Sequence, residues 1–413
     1  MNTTPSELKT DEFDSLLGSP DFARNPYPVY HRLRSTAPVF RSELWGCWLL
    51  TRYDHVAAVM QDHQRFSSMG RVTNVLQHEL PPPLLAQAQP LVSHYSKGLI
   101  NVDPPDHTRL RRLAQKAFLP RTLERLRPRV EGIVNELLDK VNPAGQMDFV
   151  RDVAYPLPIT VIAELLGVPA EHRDDLKRWS GAILEFQAKP RVDAQIVLHS
   201  QQALLELREF FRGVFAQRRR EPREDLISDL VAVEEQGDRL SEEELLSTCV
   251  SILIGGHETT TSLLSSAIWL LLTHPGQWQK LRETPSLITG AVEEFLRYES
   301  PFQRLTRVAG EDVEVAGQTI RKGQTALCLL GAANRDPGQF PDPDRLDIER
   351  TPNRHVAFAH GIHFCLGAGL ARLEAPIAIN TVLRRLPGLQ LKTGAMEWNM
   401  GVLRALKALP VTF

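Results

Sequence analysis

Over most of the chain apolar residues recur at steps of three and four, the spacing that gives a helix one buried face. The pattern predicts five helices in series over 107–119, 123–138, 157–166, 171–186 and 196–219. Ser241 with Glu244 three residues on makes a capping box, and the helix it opens runs to Thr273, where His274-Pro275 ends it. At 1.5 Å per residue that helix is roughly 50 Å long. Beyond it, 285–298 reads as a helix, and 313–315, 319–321 and 326–330 read as short strands with Gly317 and Gly323 at turns. The first third is punctuated by prolines, with strand-like runs between Val39 and Thr51 before helical spacing returns over 54–62. From 66 to 98 the pattern turns irregular around Pro81-Pro82-Pro83, which predicts a long loop and a candidate substrate lid. With no internal repeat or Gly/Ser linker, the expectation is a single domain over 1–413, mainly α with small β-sheets, preceded by an extension over 1–25.

Composition adds exclusions. A chain of 413 residues with 42% hydrophobic and 24% charged residues has enough apolar surface for a large core and lacks the profile of disorder. A formal charge of -2 gives no overall attraction to nucleic acid or acidic membranes. The first 22 residues are polar and acidic, and no apolar run is long enough to span a bilayer, so a cytoplasmic protein is expected. Four cysteines, Cys47, Cys249, Cys328 and Cys365, show no paired Cys-x-x-Cys spacing, which argues against a zinc ribbon, an iron–sulfur cluster or a disulfide framework. Cys47, Cys249 and Cys328 sit in apolar contexts and read as core residues.

Cys365 differs in its surroundings, Phe358-Ala359-His360-Gly361-Ile362-His363-Phe364-Cys365-Leu366-Gly367, just ahead of a predicted helix. A thiolate at a helix N-terminus is stabilised by unpaired backbone N–H groups and by the helix dipole. Gly361 and Gly367 allow a flat ligand to approach the backbone. A small buried hydrophobe is the plainer reading of any single cysteine. This stretch, however, resembles the haem-binding signature of the cytochrome P-450 superfamily, with Ala359 where many members carry glycine. Family-like motifs recur from about Pro26 to Phe413. The resemblance implies the cytochrome P-450 fold, with haem between the long central helix and the helix after the cysteine loop. It also implies haem b (iron protoporphyrin IX), Cys365 as axial iron ligand, and Phe358 and Gly367 in the cofactor-binding loop. Thiolate ligation pushes electron density onto iron and favours O–O cleavage.

Within the long predicted helix, Gly255-Gly256-His257-Glu258-Thr259-Thr260-Thr261 interrupts a largely apolar run. Paired glycines cost about 1 kcal/mol each relative to alanine, and threonine hydroxyls compete for backbone carbonyls, so a kink for helix crossing is one reading. The other reading is a groove where Glu258 and Thr259 bind water and relay protons. The segment resembles the family's oxygen-binding motif, with Gly256, Glu258 and Thr259 at its positions. Reduction of dioxygen with bond cleavage needs two protons, which suits an alcohol near the oxygen and a carboxylate linked to solvent.

His107 and Arg111 are four residues apart and share a helix face. A basic face can simply be solvated. The resemblance instead assigns His107, Arg111, Arg307 and His363 to the haem propionates. Glu294 and Arg297 have the spacing of a helix ion pair and resemble the family's Glu-x-x-Arg motif; Arg345 matches their partner in a structural, buried network. Arg109, Arg112 and Lys116 fall on another face, with Arg121 and Arg372 adding charge if the helix after Cys365 packs alongside. They are either a solvated face or a dock for an acidic electron donor. No flavin or nicotinamide fingerprint is present, so electrons are expected from a ferredoxin or flavodoxin-type donor with a separate reductase.

By resemblance, substrate contacts come from 66–98, Leu184, Ser251, Ile254, Gln303, Leu305 and Val402. Most are apolar, which suggests a bulky apolar small molecule and a hydroxylation or epoxidation. The expected protein is a monomer engaging neither nucleic acid nor membrane. Two alternatives stand beside the monooxygenase: a peroxygenase driven by hydrogen peroxide, and a non-catalytic haem sensor or carrier. The acid–alcohol pair argues against both.

Overall fold

The computed structural model describes residues 12–413 except 74–75, 77–79, 116–117, 189–193, 233, 236–237, 393, 395 and 402. Two residues expected to act at the site, Lys116 and Val402, lie outside the described residues. The chain forms two compact units, one made of residues up to Arg71 with Ser266–Cys365 and Thr393–Lys407, the other of Val72–Ser265, Leu366–Lys392 and Ala408–Phe413.

The first unit is built on a five-stranded sheet in the order Val39–Ser42, Cys47–Leu50, Thr325–Cys328, Leu305–Ala309, Phe66–Ser67. Only the pairing of Thr325–Cys328 with Cys47–Leu50 is parallel; the other three are antiparallel. Leu50, Phe66, Ala326 and Cys328 from this sheet pack with Val56, Val59 and Met60 of the helix Tyr53–Gln61. The strand expected over 326–330 ends early, because Leu330–Ala333 turns into a short helix.

The helix Ile288–Tyr298 in this unit presents a buried ion pair. Arg297 Nε donates to Glu294 Oε2 at 2.7 Å and Nη2 to Oε1 at 2.8 Å, with both side chains fully buried. Arg297 also donates to the carbonyls of Asn334, Pro343 and Arg345. The expected role of Arg345 is corrected here, since it supplies its carbonyl while its side chain is 67% exposed beside Asp347. The second guanidinium in the network belongs to Arg350, whose Nε donates to Glu294 Oε1 at 3.2 Å. A charge sealed from water needs its remaining lone pairs met, and Arg350 does so together with Asn353 Nδ2, which donates to Glu294 Oε2 at 3.0 Å, and the Asp347 N–H, which donates to Oε1 at 2.9 Å.

The second unit is helical; its described residues include a three-stranded sheet in the order Gln390–Leu391, Pro410–Thr412, Gln146–Asp148 and a two-stranded one, Glu234–Glu235 with Asp238–Arg239. The stretch 66–98, expected as an irregular loop, contains the helices Pro82–Gln87 and Gln89–Lys97. Pro81 caps the first helix, and Pro82, Pro83 and Pro90 fall in the first turns, where the missing N–H is no loss. The helix expected over 123–138 is two, Pro120–Glu124 and Arg127–Val141, with Pro128 in the first turn of the second. The helices Asp106–Gln115, Pro156–Leu165, Arg173–Ala188 and Ala194–Arg220 match the predicted periodicity to within a few residues at most ends. The long helix spans Glu242–Thr273, as its punctuation predicted. Its capping box is formed: Ser241 N–H donates to Glu244 Oε2 at 2.8 Å and Glu244 N–H to Ser241 Oγ at 3.3 Å. Among the described residues no helix is long and apolar enough to cross a membrane.

Candidate functional site

Of the four cysteines, Cys365 is exposed and the other three are buried. Burial pushes the thiols of Cys47 and Cys328 up to about 12 and raises Cys249 as well, which makes all three unreactive at neutral pH. Cys365 follows a 3-10 turn, Gly361–His363, and its N–H donates to the Phe358 carbonyl at 2.9 Å, closing the loop on itself. Two residues of this loop adopt left-handed backbone, Ala359 at φ 62° and Gly361 at φ 73°. Gly361 is required twice over, because a Cβ there would also sit 2.7 Å from the Met60 carbonyl oxygen. The loop lies hard against the end of the helix Tyr53–Gln61.

The rings of Phe358 and Phe364 lie 6.1 Å apart, and Phe364 is 38% exposed. An accessible thiol bordered by aromatic surface would suit a haem iron as its protein ligand. The two candidate anion ligands in this unit are also placed. Arg307, on the strand Leu305–Ala309, is buried and donates through Nη1 to the Thr306 carbonyl at 2.9 Å. His363 Nε2 lies 2.9 Å from Ser68 Oγ, a contact that nothing in the sequence signalled.

In the second unit His107 is buried, and Arg111 follows it one turn on along Asp106–Gln115. The long helix runs without a break through Gly255-Gly256. Thr259 Oγ1 donates to the Gly255 carbonyl at 2.7 Å, Thr260 Oγ1 to Gly256 at 3.4 Å and Thr261 Oγ1 to His257 at 2.9 Å, so three successive hydroxyls bond back one turn. The two glycines have different jobs. A Cβ on Gly256 would meet Ile162 Cδ1 at 2.8 Å, whereas one on Gly255 would meet nothing within 4 Å. Gly256, expected at the oxygen-binding motif, also permits close packing on the helix Pro156–Leu165, and Gly255 is the glycine on the open side. The Glu258 side chain is 26% exposed, and its Oε1 lies 3.4 Å from Nε2 of the fully buried His257.

Leu184 and Ser251 are half-buried and Ile254 is nearly buried, all in this second unit; Leu305 is half-buried in the first. Gln303 is corrected as a substrate contact. Its side chain is fully buried, donates to the Ser300 carbonyl at 2.8 Å and occupies the space left by the missing side chain of Gly331. In the basic face, Arg109 forms an ion pair with Glu244 and donates to the Arg239 carbonyl, so its charge is largely spent inside the unit. Arg112 is half-buried, and Arg121 and Arg372 are exposed.

Comparison with known proteins adds identity to this geometry. The family model described as Cytochrome P450 matches residues 30–394. The chain is 42% identical over 407 residues to the biotin biosynthesis cytochrome P450 of Bacillus subtilis, covering 97% of this chain and 99% of that protein. It is 40% identical over 410 residues to the vitamin D(3) 25-hydroxylase of Pseudonocardia autotrophica, covering 98% and 97%. Among solved structures, P450BioI in complex with acyl carrier protein ligated to hexadec-9Z-enoic acid superposes with a TM-score of 0.88 at 41% identity, covering 96% of this chain and 100% of that one. The testosterone complex of CYP109E1 from Bacillus megaterium superposes at 0.86 and 33% identity, covering 95% and 99%.

Proposed function

The chain belongs to the cytochrome P450 family, whose members are haem-iron monooxygenases, and from that premise we propose that it hydroxylates or epoxidises a bulky, mostly apolar small molecule with haem b held by Cys365. The observation that carries this reading is the exposed Cys365 in a loop closed by its own N–H on the Phe358 carbonyl. Haem iron, when bound, supplies the reduction and cleavage of dioxygen, a reaction that consumes two electrons and two protons. His107, Arg111, Arg307 and His363 would hold the propionates of bound haem, with His363 oriented by Ser68. Thr259 carries a hydroxyl whose proton rests on the Gly255 carbonyl and whose oxygen is left to accept a bond from water. Glu258, partly exposed, exchanges protons with solvent and passes them on toward Thr259.

The apolar character of Leu184, Ile254 and Leu305 supports an apolar substrate, and the relatives named for vitamin D(3), testosterone and an acyl chain act on or bind molecules of that kind. Electrons come from a separate ferredoxin or flavodoxin-type donor that docks near Arg112 and Arg372; Arg112→Glu then slows electron delivery at low salt while leaving substrate affinity unchanged. The decisive measurement is the spectrum of the dithionite-reduced, haem-loaded protein under carbon monoxide. A strongly red-shifted Soret band is expected, and its absence in folded protein overturns the assignment of Cys365. Thr259→Ala is expected to divert electrons to hydrogen peroxide, and unchanged coupling would remove the role given to that hydroxyl.

A further inference from the structure

His257 is a fully buried imidazole next to the acid of the proposed proton path, and its surroundings are unusual for a packing residue. Its Nδ1 lies 2.7 Å from the Leu253 carbonyl oxygen, which accepts only, so Nδ1 carries a hydrogen in every protonation state. Exchange is therefore confined to Nε2, and two groups face that atom. Ser180 Oγ, buried on the helix Arg173–Ala188, is 3.2 Å away, and Glu258 Oε1 is 3.4 Å away. Ser180 has a second option, the Lys177 carbonyl at 3.2 Å. A neutral imidazole accepts the Ser180 hydroxyl hydrogen at Nε2. A charged one donates from Nε2 to Glu258 or to Ser180, whose own hydrogen then turns to Lys177. In either state Nε2 and the Ser180 hydroxyl each keep a partner.

The other groups around the ring are consistent with proton exchange at one atom. Tyr155 packs edge-on to the imidazole, ring centroids 5.9 Å apart at 88°. Burial, with Glu258 and Asp174 adding to it, raises the Tyr155 phenol well above its ordinary value, so it stays neutral. Lys177 Nζ lies 4.7 Å from the Tyr155 ring centroid.

We propose that His257 is the positioning residue and proton reservoir of Glu258. The Nε2–H bond breaks and an O–H bond forms on Glu258 Oε1; imidazolium and carboxylate become imidazole and carboxylic acid, with no change in net charge. Once Glu258 has passed a proton on, the imidazolium recharges it, so a reaction that needs two protons does not wait for solvent between them. This rests on the monooxygenase reading above.

The test compares haem-loaded wild type, His257→Gln and Ser180→Ala, supplied with NADH and a surrogate ferredoxin and reductase. His257→Gln keeps hydrogen-bonding groups but stores no proton. Its peroxide yield per NADH is expected to rise several-fold. A His257→Gln protein with wild-type peroxide yield overturns the proposal and makes the residue structural. A second readout needs no turnover: in the diamagnetic carbon-monoxide-bound ferrous protein labelled with 15N-histidine, Glu258→Gln and Ser180→Ala should each shift the His257 Nε2 resonance while Nδ1 stays protonated. An Nε2 signal indifferent to both also overturns it. Failure of the parent reading looks different, because the wild type itself would then lack the red-shifted carbon monoxide band.

Discussion

Glu374 sits in the helix Ala368–Arg385 with no exposed surface, and neither carboxyl oxygen has a hydrogen-bond partner among the described residues. Burial pushes its carboxyl from 4.5 up to about 8, so the folded protein keeps it protonated at neutral pH. The unfolded chain releases that proton near pH 4.5, and folding between these two values takes a proton up. The folded state thus binds more protons than the unfolded one, and stability falls as pH rises, by about 1.4 kcal/mol per pH unit. From pH 5.5 to 7.5 the carboxyl costs a further roughly 3 kcal/mol, and above pH 8 its effect levels off. Glu374→Gln cannot ionise and removes this slope; Glu374→Met also removes the orphaned polar atoms. Urea unfolding of the haem-loaded proteins, followed by far-UV circular dichroism at several pH values, reads the difference. The stability of Glu374→Gln relative to wild type should climb by about 3 kcal/mol across those two pH units. Parallel curves would refute the reasoning, because they would mean that the carboxyl gains no proton on folding.

Ala359 holds left-handed backbone at φ 62°, which costs a residue with a Cβ roughly 1 kcal/mol; Ala359→Gly should therefore raise the unfolding midpoint, and a lowered midpoint would show that the loop bears no such strain. Gly256→Ala places a methyl 2.8 Å from Ile162 Cδ1 and should destabilise the protein by about 1–3 kcal/mol, with Gly255→Ala nearly silent; equal effects in calorimetry would contradict the two assignments. Arg350→Leu leaves Glu294 with one guanidinium instead of two and should cost at least about 2 kcal/mol, whereas Arg345→Ala should stay within about 0.5 kcal/mol. The reverse order in urea unfolding would restore Arg345 to the network.

What the chain revealed in advance divides by distance along it. The long helix was legible because its start is a reciprocal bond between Ser241 and Glu244, three residues apart, and its end is a His-Pro pair. The mostly helical character was legible from period alone. The stretch 66–98 was misread because proline breaks a helix in its interior and starts one at its first turn, and the sequence does not say which end a proline will occupy until the helix is placed. Faces were harder still. Periodicity puts Gly255 and Gly256 on different sides of one helix, but which side packs is decided by Ile162, more than 90 residues away. The partner of His363 is Ser68, 295 residues distant, and the partner of His257 is Ser180, 77 residues distant; no local pattern announces either. Arg345 carries the sharper lesson. A motif names a position, and the position is indeed in the network, yet it contributes a carbonyl that any residue would bring. The charge comes from Arg350, five residues on, because a buried carboxylate selects partners by reach and not by place in a pattern.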